Sequence, residues 1–182
     1  MTTFIRIPQD RVGVVIGPQG ETRRILSERS GIAIEVDSNA NEVAIHDQAA
    51  GVDPVMVLKV KDVIRALARG FSPEHAMRLF SDDCYFELLD FHDYVGKSKG
   101  HVRRVASRII GAEGKTRRII EEATDCDLAI YGHTVGIIGD LEDLSNAKQA
   151  VDMILRGAEH ASVYRFLENQ RRKAKRANAE LW

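Results

Sequence analysis

Residues 14–24 read "VVIGPQGETRR", and residues 108–118 read "RIIGAEGKTRR". At one constant offset, Gly17, Gly20, Thr22, Arg23, Arg24, Ile25 and Glu28 match Gly111, Gly114, Thr116, Arg117, Arg118, Ile119 and Glu122. A single Gly-x-x-Gly is a weak signal, since many tight turns between helices have that spacing. The same phrase twice, followed each time by Thr-Arg-Arg, makes the repeat an architectural fact. It predicts two copies of one folding unit.

The flanking sequence supports that reading. After the first phrase, "IAIEVD" and "EVAIHD" alternate apolar and polar residues, with Ile32, Ile34, Val36, Val43 and Ile45 on one face. "SNAN" between them supplies turn residues, so a hairpin is expected. In the second half "LAIY" and "VGIIGD" do the same around Tyr131, Gly132 and His133. Each hairpin leads into an apolar pattern of helical period. The first is capped at Asp53-Pro54, the second opens near Ser145, and both end at Arg-Gly. A strand-like run precedes each phrase: "FIRI" and "CYFELL".

The expected order in each half is therefore strand, helix, Gly-x-x-Gly, helix, strand, strand, helix. This is an α/β (α+β) fold with a three-stranded sheet packed on helices, made twice. The domains are placed at residues 1–78 and 79–182. Extra helical segments follow each unit, "SPEHAMRLF" and "AEHASVYRFLENQRRKAKR". In the latter, Val163, Phe166 and Leu167 are expected to pack while the basic end stays in water.

Composition fits a globular protein with a core of ordinary size: 44% hydrophobic and 29% charged over 182 residues. No apolar run approaches the length of a membrane span. No secretory signal is evident at the start, so a cytoplasmic location is the expectation. Cys84 and Cys126 lack metal-type spacing and are expected to be buried thiols. Net charge is −1, yet the charges are unevenly spread. Lys97, Lys99, Arg103, Arg104, Arg108, Lys115, Arg117 and Arg118 crowd around the second phrase, against Glu113 alone. A second basic run, Arg171, Arg172, Lys173, Lys175 and Arg176, lies near the end.

A Gly-x-x-Gly between two helices leaves no side chain where an incoming chain must pass. The helix that follows offers unpaired N–H groups and the positive end of its dipole, which together suit a phosphate. With the hairpin as an opposite wall, the groove suits a few single-stranded nucleotides.

Three other readings compete. "GAEGKT" mimics the tail of a phosphate-binding P-loop, but Ile109 stands where its first glycine belongs, and the preceding "HVRRVASRII" is helical in pattern. "DFHD" (Asp90, Phe91, His92, Asp93) offers metal-ligand types, but Asp82 and Asp83 fall across a strand from it. It reads as a polar loop. A helix-turn-helix does not explain the hairpin that follows. His101, Tyr131 and His133 are candidates for a phosphate or base contact, with plain exposure or packing as the ordinary alternative.

"VGVVIGPQGETRRILSERSGIAIEV" resembles the KH-domain signature, and the element order matches the type I KH fold. The stretch "RIIGAEGKTRRIIEEATDCDLAIYGHTVGIIGDLEDLSNAKQAVDMILRG" resembles the archaeal and eukaryotic KH family that matures small-subunit ribosomal RNA alongside the PIN-domain (Nob) endonuclease. The resemblance implies two tandem KH domains that hold the 3′ region of small-subunit rRNA, with no catalysis and no cofactor or metal. It also implies a maturation endonuclease or a translation initiation factor as partner. The loop residues are then Gly17, Pro18, Gln19, Gly20 and Gly111, Ala112, Glu113, Gly114. Many KH loops carry Lys or Arg between the glycines; here Pro-Gln and Ala-Glu stand there, so charge must come from neighbours.

The second copy has such neighbours in Lys97, Lys99, Arg103, Arg104, Arg108, Lys115, Arg117 and Arg118. The first has Arg11, Arg23 and Arg24, diluted by Asp10, Glu21 and Glu28. The second domain is thus expected to bind RNA more strongly, with the first auxiliary or in contact with protein. The alternative is a KH-fold scaffold for proteins, with weak or no RNA binding.

Overall fold

The computed structural model describes residues 2–182 and divides into two compact units, one ending at Cys84 and one spanning Tyr85–Trp182. The first runs β1 (Thr2–Arg6), α1 (Val12–Ile16), α2 (Glu21–Ser30), β2 (Ala33–Asp37), β3 (Glu42–His46), α3 (Pro54–Ala68) and α4 (Pro73–Ala76). Its sheet is antiparallel in the order β1-β3-β2, with Ile5 opposite Val43 and Ile34 opposite Ile45. Because side chains alternate across a strand, Ile34, Val43 and Ile45 are buried together. Val57, Val60, Ile64 and Leu67 of α3 are buried as well.

The turn residues act as their chemistry predicts. Asp37 accepts hydrogen bonds from the Asn39 and Ala40 amides at 2.8 and 3.0 Å, and Asn41 takes φ 55°, a conformation asparagine tolerates. Asp53 caps α3 by accepting from the Val55 amide at 2.9 Å.

The second unit repeats the plan as β4 (Tyr85–Asp90), α5 (His92–Val95), α6 (Lys99–Ile110), α7 (Lys115–Thr124), β5 (Asp127–Tyr131), β6 (Thr134–Gly139), α8 (Leu141–Leu155) and α9 (His160–Glu180). Its sheet order is β4-β6-β5, again antiparallel. Val135 and Ile137 of β6 join Val105, Ile109, Ile120, Val151 and Ile154 in one cluster, which Val163 and Leu167 of α9 complete. Beyond Gln170 the rest of α9 is exposed.

Three details depart from the sequence reading. α8 opens at Leu141 and not near Ser145, because Asp140 accepts from the Asp143 amide at 2.9 Å and caps the helix earlier. The units part at Cys84, six residues beyond the expected boundary at 78. Leu79 and Phe80 explain this: both are buried, the Arg29 guanidinium lies 4.5 Å over the Phe80 ring, and Lys59 donates to the Phe80 carbonyl at 2.9 Å. Of the two thiols, Cys126 is buried while Cys84 is half-exposed.

Candidate nucleic-acid interface

The two loops share one backbone. Gly17 has φ 75° and ψ 171°, and Gly111 has φ 74° and ψ 175°. In each, the second glycine donates its amide to the first glycine's carbonyl, at 3.1 Å for Gly20 and 3.2 Å for Gly114. The glycines are needed for different reasons. A Cβ on Gly17 or Gly111 would stand 2.7 Å from the backbone nitrogen of Thr22 or Thr116, inside any real contact distance. At Gly20 and Gly114 there is space, but φ is 73° and 75°, the left-handed region that favours glycine.

The threonines are part of the same device. Thr22 and Thr116 are buried and pack over the first glycine of their loops. Gln19 and Glu113, neither of them glycine, are held at φ 55° and 54°. Holding such residues there costs roughly 1–3 kcal/mol, which the surrounding helices must supply. The result is a loop whose backbone passes the following helix with no side chain between. Neither α2 nor α7 has a side-chain cap: their first amides, of Glu21 and Lys115, donate to the Pro18 and Ala112 carbonyls, and no N-cap side chain takes up those that follow. That is the arrangement a phosphate oxygen fits.

The opposite wall follows from the topology of the second unit. α7 runs away from the loop for ten residues, about 15 Å. The chain reverses at Asp125 (φ 52°), and β5 returns over five residues, about 17 Å. The turn at Tyr131, Gly132 and His133 therefore comes back level with the loop. Ile110, at the loop's edge, is 37% exposed and offers an apolar face. It was not singled out in the sequence, although an isoleucine abutting the first glycine in both copies was the available signal.

The second loop is braced more heavily than the first. Tyr164 on α9 places its hydroxyl 2.9 Å from Thr116 Oγ1, and His160 Nε2 lies 2.9 Å from the Arg108 carbonyl. Arg118 donates to the Glu113 carbonyl at 3.2 Å. Among its described residues the first unit has no helix equivalent to α9.

The basic residues sort into distinct groups. Arg108 turns inward, donating to the Ile154 carbonyl at 2.9 Å and to the Ala158 carbonyl, so its role is to close the end of α8. Arg11 does the same for α3, donating to the Leu67 and Phe71 carbonyls at 2.8 Å each. Both were expected to supply charge to the loops; their geometry assigns them to packing instead. Arg24 pairs with Glu28 at 3.6 Å, and Arg23 reaches the Ile34 carbonyl at 3.4 Å. Arg117 sits 3.8 Å from Glu121.

Lys97, Lys99, Arg103, Arg104 and Lys115 are exposed and have no acidic partner among the described residues. They do not all stand at the loop. Lys99 opens α6 and Gly111 follows its end, twelve residues on, so Lys99 is about 18 Å away along the helix. Arg104 and His101 line a surface hollow with Arg156 at the end of α8. Only Lys115, Arg117 and Arg118 lie within the first turn after the loop.

A helix, α6, leads into "GAEGKT" where a P-loop needs a strand. β5 and β6 follow α7, which a helix-turn-helix does not require. "DFHD" is less bland than its sequence suggests. Asp90 ends β4, His92 opens α5, and His133 arrives from the hairpin turn; Asp93 stays outside the group. Burial raises the Asp90 pKa, but hydrogen bonds from the His92 amide and the His133 ring outweigh it and hold the carboxyl below the usual range.

Comparison with known proteins fits this geometry. The eukaryotic-type KH domain (KH-domain type I) matches residues 85–172, and the KH domain matches residues 2–65. Over 179 residues the chain is 44% identical to KH domain-containing protein MJ0443 of Methanocaldococcus jannaschii, covering 98% of this chain and 78% of that protein. It is 28% identical over 151 residues to the pre-rRNA-processing protein pno1 of Schizosaccharomyces pombe, covering 82% of this chain and 63% of that one. The crystal structure of the a/eIF2alpha–aDim2p–rRNA complex from Pyrococcus horikoshii contains a chain that superposes with a TM-score of 0.88 at 38% identity, over 95% of each. Two KH domains in tandem, as the repeat led one to expect, make up this chain.

Proposed function

This chain belongs to the two-KH-domain family that includes the M. jannaschii protein, and on that premise we propose that it is an RNA-binding factor of ribosome biogenesis. It holds single-stranded RNA from the 3′ region of small-subunit rRNA, with a phosphate on residues 111–114 and bases against Ile110 and the β5 side of the groove. The observation that carries this reading is the braced second loop, with uncapped α7 amides and Lys115, Arg117 and Arg118 beside it. Arg103, Arg104 and Lys99 on α6, with Lys97 just before it, extend the charged track, where they attract RNA more than they fix it.

The chain catalyses no reaction in this reading. It works in the cytoplasm beside a maturation endonuclease or a translation initiation factor. Support for the latter is the P. horikoshii complex, in which the similar protein is assembled with a/eIF2alpha and rRNA.

For the first domain a second role is favoured by a specific observation. Arg23 and Arg24 hold contacts within their domain much as Arg117 and Arg118 do, and Arg11 turns onto carbonyls. But where the second loop is followed by Lys115, which has no acidic partner among the described residues, the first is followed by Glu21, so residues 17–20 have the backbone device with less free positive charge. That domain assists weakly or meets protein.

The test is binding of labelled RNA to the purified chain. Single-stranded fragments of the rRNA 3′ region should bind, and the same sequences presented as a duplex should bind at least about tenfold less tightly, since the groove admits only unpaired bases. Equal affinity for both would overturn the groove, and cleavage of the RNA by the chain alone would overturn the non-catalytic role.

A further inference from the structure

At the far end of β4 from the chain's division into units, two imidazoles and one carboxylate converge on a point. Asp90 Oδ1 lies 2.9 Å from His133 Nδ1 and 3.5 Å from His92 Nδ1. The two rings stack, with centroids 4.1 Å apart and planes 12° from parallel. One donor atom from each residue lies within 4.8 Å of the other two. Tetrahedral ligands about 2.0–2.1 Å from a zinc ion stand roughly 3.3 Å from one another. The two measured Asp90 separations bracket that value.

The backbone holds the three residues in this arrangement. The Phe91 amide donates to the His133 carbonyl at 2.8 Å, and Asp90 faces Thr134 in the β4–β6 register. The His92 amide donates to Asp90 Oδ1 at 2.9 Å, which fixes the carboxylate. The side chains are 29–41% exposed, so an ion can reach them. The stacked rings cannot both aim Nδ1 at one ion as they stand, so binding turns at least one imidazole out of the stack, while the backbone keeps all three donors within reach.

We propose that Asp90, His92 and His133 form a binding site for a divalent transition cation of the zinc class. Two imidazoles with one carboxylate suit Zn²⁺, Co²⁺ or Ni²⁺ and not Mg²⁺ or Ca²⁺, which take oxygen ligands. Each imidazole presents its Nδ1 lone pair to the metal and carries its proton on Nε2. Three protein ligands leave one position for water. The bound ion ties the β5–β6 turn to the end of β4 and the start of α5, segments far apart in sequence. This stiffens the turn that forms the groove's second wall.

The experiment uses the full, untagged chain stripped with a chelator. Co²⁺ is titrated in and followed by its visible absorption, then displaced with Zn²⁺. One Co²⁺ per chain is expected, with visible bands and a higher melting temperature on Zn²⁺ addition. Asp90→Asn, which still accepts from the His92 amide, and His92→Gln and His133→Gln should each weaken binding at least about tenfold. His101→Gln, on the exposed surface of α6, should leave it unchanged. Absence of the bands in the native chain would overturn the site. So would bands of undiminished affinity in the three variants, each shown folded by circular dichroism.

Discussion

The Tyr164 hydroxyl lies 2.9 Å from Thr116 Oγ1, so the long C-terminal helix touches the residue that packs over Gly111. The second loop is therefore shaped by α9 as well as by its own glycines. Tyr164→Phe should lower stability by about 1 kcal/mol, the ordinary net worth of such a bond. It should also speed hydrogen exchange at Gly114 and weaken RNA binding a few-fold. Unchanged exchange at that amide would show that α9 does not brace the loop.

The two glycines of a loop should differ under mutation. Gly111→Ala meets the Thr116 backbone nitrogen at 2.7 Å and also strains φ, whereas Gly114→Ala strains φ alone. Left-handed strain costs roughly 1–2 kcal/mol per residue, so urea unfolding should place Gly114→Ala in that range and Gly111→Ala clearly beyond it. Equal losses would contradict the packing of Thr116 described above.

Arginines in the basic segment should separate by role. Arg108→Ala should cost about 2 kcal/mol in stability, because it leaves the Ile154 and Ala158 carbonyls without a charged donor. Arg117→Ala should cost little stability but reduce the slope of log affinity against log salt by about 0.7, one phosphate contact on a single strand. Unfolding curves and salt titrations on both variants make the comparison. A reduced salt slope in Arg108→Ala at full stability would reverse the assignment.

A pH effect is expected at the start of α8. Burial pushes the Asp143 carboxyl up to about 6 from 3.8, helped by the charge of Asp140 and its hydrogen bond, and by Asp125 and Glu142. Arg171 of α9 borders the same hollow. With the folded pKa above the unfolded one, the folded chain holds the extra proton between those values, so stability falls as pH rises through that window. Asp143→Asn should melt above the native chain at neutral pH, and the gap should close near pH 4. A gap independent of pH would rule out the carboxylate as its source.

Much of this was legible in the sequence because it is periodic. Alternation at Ile34, Val36, Val43 and Ile45 set the first hairpin, and the repeated glycine phrase set both loops. What stayed hidden depends on direction in space. Nothing in the sequence distinguishes Arg108, which turns back onto carbonyls 46 and 50 residues away, from Arg104, which stays in water. Likewise "DFHD" reads as a polar loop until the β4–β6 register brings His133 to Asp90 from 43 residues away. The opening of α8 was expected near Ser145, and it is the Asp140 side chain, accepting from the Asp143 amide, that starts the helix at Leu141.

Both loops carry the same backbone device, and in the function proposed above the second uses it more strongly. The most direct measurement of that difference compares two double replacements, Pro18→Asp with Gln19→Asp and Ala112→Asp with Glu113→Asp, for affinity to a single-stranded fragment of the rRNA 3′ region. Aspartate tolerates the left-handed conformation at 19 and 113, so both variants should fold while repelling phosphate. A loss of at least about tenfold (roughly 1.4 kcal/mol) is expected from the second loop and a smaller loss from the first. Unaltered binding with the second loop replaced, or a larger loss from the first, would contradict that function.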